Sequence, residues 1–379
     1  MMSESKSRNL STRSTQSFPF YRFQGTYRQI GRQHGEACRE LVLKNLELAT
    51  ERLRRKYNVS TREEVTEAAL QYRSYVIKYA PQFDEEIQGL AEGAGISLGE
   101  AYLLQVRAEL NKIFQTNQTE CTTFAVAAEA TADGSPLIGQ NADLPAFYGE
   151  LSVVIESIPD EGPATLMLTP AGQISFIGIN DAGVGAFGNF LTCEGWRVGF
   201  PRYFFTKLAL TRSTAAEAVE LVDSLYRASS RNLIMLDKQG GIVDVETIPS
   251  RISRIEAKNG ILAHSNHFIS PQLLDEERLT GIELENSRVR ISRMTELLEA
   301  NRGKLNAEVM QDILRDRGSY PHCLCQIEGD EGMQAPGERA TDIITFASVI
   351  AEPAKGHLWI AIGPPDQYEY KKYSFSARN

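Results

Sequence analysis

One stretch of the chain carries residue types suited to nucleophilic chemistry. Cys121 opens the apolar run Thr122–Ala128, a turn follows at Asp133-Gly134, and a second run, Pro136–Gly139, ends in the polar cluster Gly139-Gln-Asn-Ala-Asp143. Two such runs about a tight turn make a hairpin, which returns the chain to its starting edge and lets Asp143 lie beside Cys121. That places a carboxylate next to a thiol, a pairing open to nucleophilic chemistry. A plainer reading stands beside it: free cysteines are often small buried hydrophobes, and an Asp at a strand end often makes a turn. Two amides extend the set. Asn266 lies between His264 and His267, and Asn189 follows Gly188, where a turn and a site residue are equally good readings.

Other chemistries have weaker patterns. His264-x-x-His267 and His322-Cys-Leu-Cys325 supply zinc-type ligands, but Cys-x-Cys is tighter than the usual spacing and the two histidines straddle a strand end. A conventional Cys–His hydrolase would pair Cys121 with His264 or His267, without a local nucleophile signature to support it. No Gly-x-x-x-x-Gly-Lys-Ser/Thr or Gly-x-Gly-x-x-Gly follows a strand, so nucleotide binding has no motif.

The elements that must position these residues fall into two halves. From Gly25 to Phe114 the apolar spacing is helical, with capping-box spacings at Thr61–Glu64 and Ser97–Glu100, a stop at Pro81 and another at Gly93-Ala-Gly95. From Cys121 onward, short apolar runs separated by turn residues predict strands at 151–158, 164–168, 174–179, 184–188, 233–236, 242–247, 261–264, 343–350 and 357–362. Helices are expected at 203–210, 214–226, 283–299 and 306–315. Many antiparallel strands with grouped helices make an α+β chain of layered sheets covered by helices.

Composition narrows the function classes. The chain has 379 residues, 42% of them hydrophobic and 23% charged, enough for a large core without disulfide or metal support. A net charge of −9 gives no footprint for nucleic acid or an anionic membrane surface. The basic run from Arg52 to Lys56 closes a helix, where cations suit the dipole. No apolar run is long enough to span a bilayer. The five cysteines are odd in number and the polar N-terminus lacks an apolar signal core, so a cytoplasmic setting with free thiols is expected.

With these residues in view, the chain resembles the penicillin acyltransferase family, the acyl-coenzyme A:6-aminopenicillanate acyltransferases and their bacterial relatives. These are autoproteolytic N-terminal-nucleophile hydrolases, alongside the bile-salt hydrolase and acid ceramidase group. The resemblance runs through Gly25–Gly31 and Arg32–Glu36, then Cys121-Thr-Thr with Gly139–Asp143. It continues through Ile179–Val184 with Asn189-Phe-Leu191, His264–Phe268, Phe346–Ile350 and Gly363-Pro-Pro365. It departs at Glu120, where the family's namesake has Gly, and at Ala142, where an aromatic is usual.

The resemblance implies a four-layer αββα sandwich in which Cys121 cleaves the Glu120–Cys121 bond. The freed α-amine then serves as base for its own thiol. Asp143 orients the amine, Asn266 and Asn189 donate to the oxyanion, and Arg339 contacts substrate. The chain is accordingly expected to divide into a disordered tail (1–17), a helical pro-segment (18–120) and a catalytic chain (121–379), the two pieces staying associated. The substrate would be a small amide or acyl thioester, with acyl-coenzyme A as one acyl source and neither metal nor organic cofactor required. An uncleaved, silent binding protein on the same fold is the alternative from another class.

Overall fold

The computed structural model describes residues 13–57, 61–110, 120–329 and 343–376. The N-terminal half begins with strand β1 (Phe20–Gly25), which the helical spacing around it did not suggest. Six helices follow: α1 (Tyr27–Ala37), α2 (Arg39–Tyr57), α3 (Arg62–Leu70), α4 (Arg73–Tyr79), α5 (Pro81–Ala94) and α6 (Leu98–Leu110). Both expected capping boxes are made, Thr61 with Glu64 and Ser97 with Glu100. Pro81 takes the first turn of α5, where its missing N–H costs nothing, and Gly95 closes that helix at φ 69°.

Glycines set the closeness of α1 and α5. A Cβ on Gly31 would sit 1.9 Å from Glu86 O, and one on Gly89 would sit 2.0 Å from Arg28 O. With Gly35 and Gly93 one turn on, the two backbones touch along their length.

The second half supplies two sheets. β2 (Glu120–Val126) and β3 (Leu137–Pro145) form the hairpin. After the short helix α7 (Tyr148–Leu151) come β4 (Ser152–Pro159), β5 (Thr165–Pro170), β6 (Ile177–Asn180) and β7 (Val184–Phe187). Helices α8 (Phe204–Ala209) and α9 (Ala215–Asp223) precede β8 (Arg231–Asp237), β9 (Ile242–Thr247), β10 (Ile252–Glu256) and β11 (Ile261–His264). Last come α10 (Gly281–Ala300), α11 (Ala307–Leu314), β12 (Ile343–Glu352), β13 (His357–Ile362) and β14 (Lys371–Ser374). The strand order is β1-β4-β5-β6-β7-β8-β9-β10 in one sheet and β11-β2-β3-β12-β13-β14 in the other.

Three layers of apolar contact stack these parts. Val153, Ile155, Leu233 and Met235 face α1–α6, α8 and α9, while Val154, Ile234 and Leu236 face the other sheet. That second sheet puts Ala125, Ile138, Ala142 and Val349 inward, and Phe124, Val126 and Ile350 outward against Met294, Leu298 and Ile313 of α10 and α11. Strands buried on both faces lose polar alternation, which is why they read as continuous apolar runs. The expected αββα sandwich is present.

A buried ion pair ties α5 to α8. Lys207 Nζ lies 2.5 and 2.6 Å from the two oxygens of Glu86, both side chains being nearly inaccessible. Burial pushes the Glu86 carboxyl up, and Lys207 pulls it back in part. Removing one partner leaves an uncompensated charge in the interior. Lys207→Ala is therefore expected to cost about 3–5 kcal/mol, whereas Lys207→Met combined with Glu86→Leu should be near neutral. Urea unfolding midpoints check both.

Two expectations change here. The tail is tied down from Ser14, which accepts from Glu369 N and donates its own N–H to Gln367 O, each at 2.9 Å. The Gly139–Asp143 cluster is not a strand end but the middle of β3, with partners on both neighbouring strands.

Candidate active site

Cys121 is the second residue of β2 and is 6% exposed. The hairpin does bring β3 alongside, but in a register that pairs Cys121 with Ala142 and Glu120 with Asp143. Alternation then sends the Cys121 side chain between the sheets and the Asp143 side chain toward α10 and α11. Asp143 is fully buried and its Oδ1 accepts from Thr345 Oγ1 at 2.6 Å. Its charge and backbone N–H still reach the sulfur. Burial pushes the Cys121 thiol up to about 12, Asp143's charge adds to this, and Asp143 N–H, the Gln140 side chain and Arg290 partly offset it. The thiol is therefore protonated at neutral pH.

The backbone of Cys121 is held more closely than its side chain. Its N–H donates to Asn266 Oδ1 at 2.8 Å. Arg290, fully buried on α10, donates to Cys121 O at 2.7 Å, Thr122 Oγ1 at 2.8 Å and Asn266 Oδ1 at 2.9 Å. Its Nε donates to Asn286 Oδ1 at 2.6 Å. Two donors on one oxygen fix the Asn266 amide, and Nδ2 accordingly donates to Phe190 O at 3.1 Å. Asn266 thus presents its oxygen to the α-nitrogen of Cys121 and its Nδ2 to Phe190 O.

The remaining amides lie close by. Asn189 Nδ2 donates to Thr123 Oγ1 at 3.0 Å, on the face of β2 that carries Cys121, and its N–H donates to Asn232 Oδ1 at 3.2 Å. Gln140 Nε2 reaches Gly188 O at 3.2 Å and Asn189 Oδ1 at 3.5 Å. The structure therefore brings Cys121, Asn189 and Asn266 together, with Asp143 one register position away. Arg339 lies outside the described residues.

Arg290 had no motif, but a signal was available. It falls on the same stripe of α10 as Met294 and Leu298, a core-facing position where an arginine needs a buried purpose.

The histidines are committed elsewhere. His264 has Ser265 O at 2.8 Å from Nδ1 and Glu246 Oε1 at 2.8 Å from Nε2, an acceptor at each nitrogen. Burial pulls this imidazole down, but Asp244 and Glu246 outweigh it and hold it protonated. Glu246 also accepts from Ile269 N and Ser270 N, which fixes the loop after Asn266. His267 shares a 2.8 Å hydrogen bond with Ser287 Oγ, and His322 lies 3.2 Å from Asn286 Nδ2. Among the described residues no group of three or more His, Cys, Asp or Glu is arranged to hold a metal ion. No described helix is long and apolar enough to cross a membrane.

The decisive comparison is with families. The family described as acyl-coenzyme A:6-aminopenicillanic acid acyl-transferase matches residues 130–367, a span that includes Asp143, Asn189, Asn266 and Arg290. The chain belongs to this family. A curated relative, the 40 kDa form of acyl-coenzyme A:6-aminopenicillanic-acid-acyltransferase from Emericella nidulans, is 28% identical over 305 residues, covering 80% of this chain and 83% of that protein. Among solved structures, a variant of conjugated bile acid hydrolase from Clostridium perfringens is similar at TM-score 0.45 and 16% identity, covering 68% of this chain and 97% of that one. Penicillin V acylase from Agrobacterium tumefaciens is similar at TM-score 0.44 and 13% identity, covering 64% and 83%. The family match places this chain among acyltransferases.

Proposed function

We propose that Cys121 is the nucleophile of an autoproteolytic amidase or acyltransferase that acts on amide bonds or acyl thioesters. The observation that carries this reading is the hold on the α-nitrogen of Cys121. A cysteine that merely fills the core needs no buried Asn–Arg pair on its own N–H and C=O, whereas a residue whose α-amine is to act as a base needs that nitrogen fixed.

In the first step the thiol sulfur attacks the Glu120 carbonyl carbon. The C–N bond breaks, and the α-nitrogen leaves as an amine carrying the thiol proton. Water then hydrolyses the thioester, giving a carboxylate on Glu120 and a free thiol on Cys121. Cleavage converts a non-basic amide nitrogen into an amine with a reference pKa near 8, next to a thiol that burial otherwise keeps protonated. In each turnover the amine takes the thiol proton, the thiolate attacks the acyl carbonyl, and the ammonium protonates the leaving group. Water or an acceptor amine resolves the acyl-enzyme.

Arg290 has a definite electrostatic part in this scheme. It shares the Asn266 oxygen with the α-nitrogen, so its charge disfavours the ammonium and keeps the amine unprotonated to lower pH. Asp143 opposes that effect and orients the nitrogen. In this reading Asn189, whose Nδ2 lies on the sulfur's side of β2, donates to the oxyanion, a contribution of about 3 kcal/mol per donor. In this reading residues 18–120 persist as a second chain, held by β1 in the larger sheet and by the Lys207–Glu86 pair. Acyl-coenzyme A is the acyl donor that the curated relative's name suggests.

Intact-mass measurement of the purified wild-type protein tests the first step. Two masses that sum to the chain plus one water, split between Glu120 and Cys121, are expected. A single uncut mass would remove the α-amine and leave a silent binding protein on the same fold.

A further inference from the structure

Beside the nucleophile the interior holds more positive charge than the chain neutralises. The guanidinium carbons of Arg107, Arg202 and Arg231 lie 5.4, 5.3 and 5.6 Å from the ring centroid of one tyrosine, Tyr203. All three arginines are at least nine-tenths buried. Glu109 is the carboxylate among them, and its Oε1 is taken by Arg202 N at 2.9 Å and Ser229 Oγ at 2.8 Å. The effect shows on Tyr203 itself: burial pushes its hydroxyl up, yet the charges of the three arginines outweigh this and leave it below its ordinary value.

The three guanidinium groups differ in what they have left to give. Arg231 is committed, donating to Arg202 O at 3.0 Å and Thr206 Oγ1 at 3.1 Å. Arg202 stacks on Phe190 at 4.1 Å, with a single long donation, 3.4 Å, to Ser230 O. Arg107 lies over Tyr148 at 4.4 Å, with the Tyr203 hydroxyl in hydrogen-bonding reach. Its Nε and Nη2 are buried without a partner, the only cationic atoms in that condition among the described residues. These two donors form one edge of the guanidinium fork, the edge that fits a carboxylate with two parallel hydrogen bonds. A guanidinium held flat between aromatic rings, with that edge empty, is preorganised for such a partner.

The cluster adjoins the nucleophile. Cys121, Ala108, Tyr148 and Tyr203 belong to one apolar cluster between the sheets. Phe190, which stacks on Arg202, is also the residue whose carbonyl holds Asn266.

We propose that Arg107 and Arg202, framed by Tyr148, Phe190 and Tyr203, form a subsite for a carboxylate carried by the substrate. This rests on the acyl-transfer reading and specifies its substrate class: an amide or thioester with a free carboxylate on its acyl or its amine part. A purely structural Arg107 would predict the opposite stability behaviour, because an arginine that holds the fold together has its fork filled.

Protection of Cys121 from iodoacetamide, read by mass spectrometry of the wild-type protein, tests the subsite. N-hexanoylglycine against N-hexanoylglycinamide puts the charge on the amine side, and N-glutarylaniline against N-pentanoylaniline puts it on the acyl side. The charged member of one pair is expected to protect at a concentration about tenfold or more below its neutral twin, as the loss of a bidentate ion pair implies. That preference should disappear in Arg107→Met and in Arg202→Met. Arg107→Met should also be at least as heat-stable as wild type, since it removes an unpaired buried charge. Equal protection within both pairs, a preference that survives Arg107→Met, or a lowered Tm in that variant each overturns the subsite. The acyl-transfer reading is judged separately, by whether unprotected Cys121 is alkylated faster than the other four cysteines.

Discussion

Cys121→Ala is expected to yield one uncut chain with no acyl transfer above background, a loss of at least about 10⁴-fold relative to wild type. Alanine removes the sulfur and leaves the backbone groups that Asn266 and Arg290 grip, so the fold and the hold on the α-nitrogen survive. Stability should change little, because the lost atom is a single buried sulfur in an otherwise intact layer. Denaturant midpoint, intact mass and turnover on a thioester panel, measured together, separate this outcome from misfolding. A cut chain in Cys121→Ala would mean that another group performs the cleavage, and the sulfur would lose both of its roles.

Arg290→Met is expected to lose both processing and activity. The substitution takes a donor from four buried acceptors, Cys121 O, Thr122 Oγ1, Asn266 Oδ1 and Asn286 Oδ1, of which Asn266 Oδ1 keeps the Cys121 N–H. Stability should fall by about 1–3 kcal/mol for each acceptor left without a donor, and Lys should not rescue it because an ammonium cannot reproduce the planar fork. Residual activity, expected to be reduced at least about 10²-fold, carries the sharper signature. A positive charge about 4 Å from the α-amine acts with roughly 4 kcal/mol at an effective dielectric near 20, and it favours the unprotonated amine. Without it the amine pKa rises. The base form is then lost at higher pH, and the acid limb of the kcat/KM profile moves up by at least about one pH unit. An unmoved limb in Arg290→Met would reduce the arginine to a structural strut.

The residues of the candidate site were unevenly legible. Cys121 stood out because helical spacing ends and strand spacing begins there, and the structure places it at the head of β2 between the sheets. The hairpin was legible but its register was not. One position of slip moves every side chain to the opposite face, and Asp143 accordingly stands opposite Glu120 instead of beside the thiol. The polar run Gln140-Asn-Ala-Asp143 read as a strand end, because its partners lie far away in sequence: Gly188 for Gln140, Leu314 and Leu324 for Asn141, Thr345 for Asp143. Arg290 was missed for the same reason. A helix stripe identifies a core position, but not which strand from the other side of the fold will meet it. β1 was hidden because a parallel edge strand needs its partner, β4, which comes more than a hundred residues later. Local capping, by contrast, was read correctly at both boxes, since every atom involved lies within one turn.

That edge strand also bears on solubility. β1 lies parallel to β4 along six paired positions, and Val154 N donates to Pro19 O at 2.8 Å just beyond them. Without it, the sheet would end in an open ladder of Val153, Val154 and Ile155, a template for pairing with any exposed strand from another molecule. The segment before Cys121 is thus also a permanent guard on the sheet margin. A truncation that starts the chain at Cys121 should therefore deliver, even if it collapses correctly, a self-associating protein rather than a smaller enzyme.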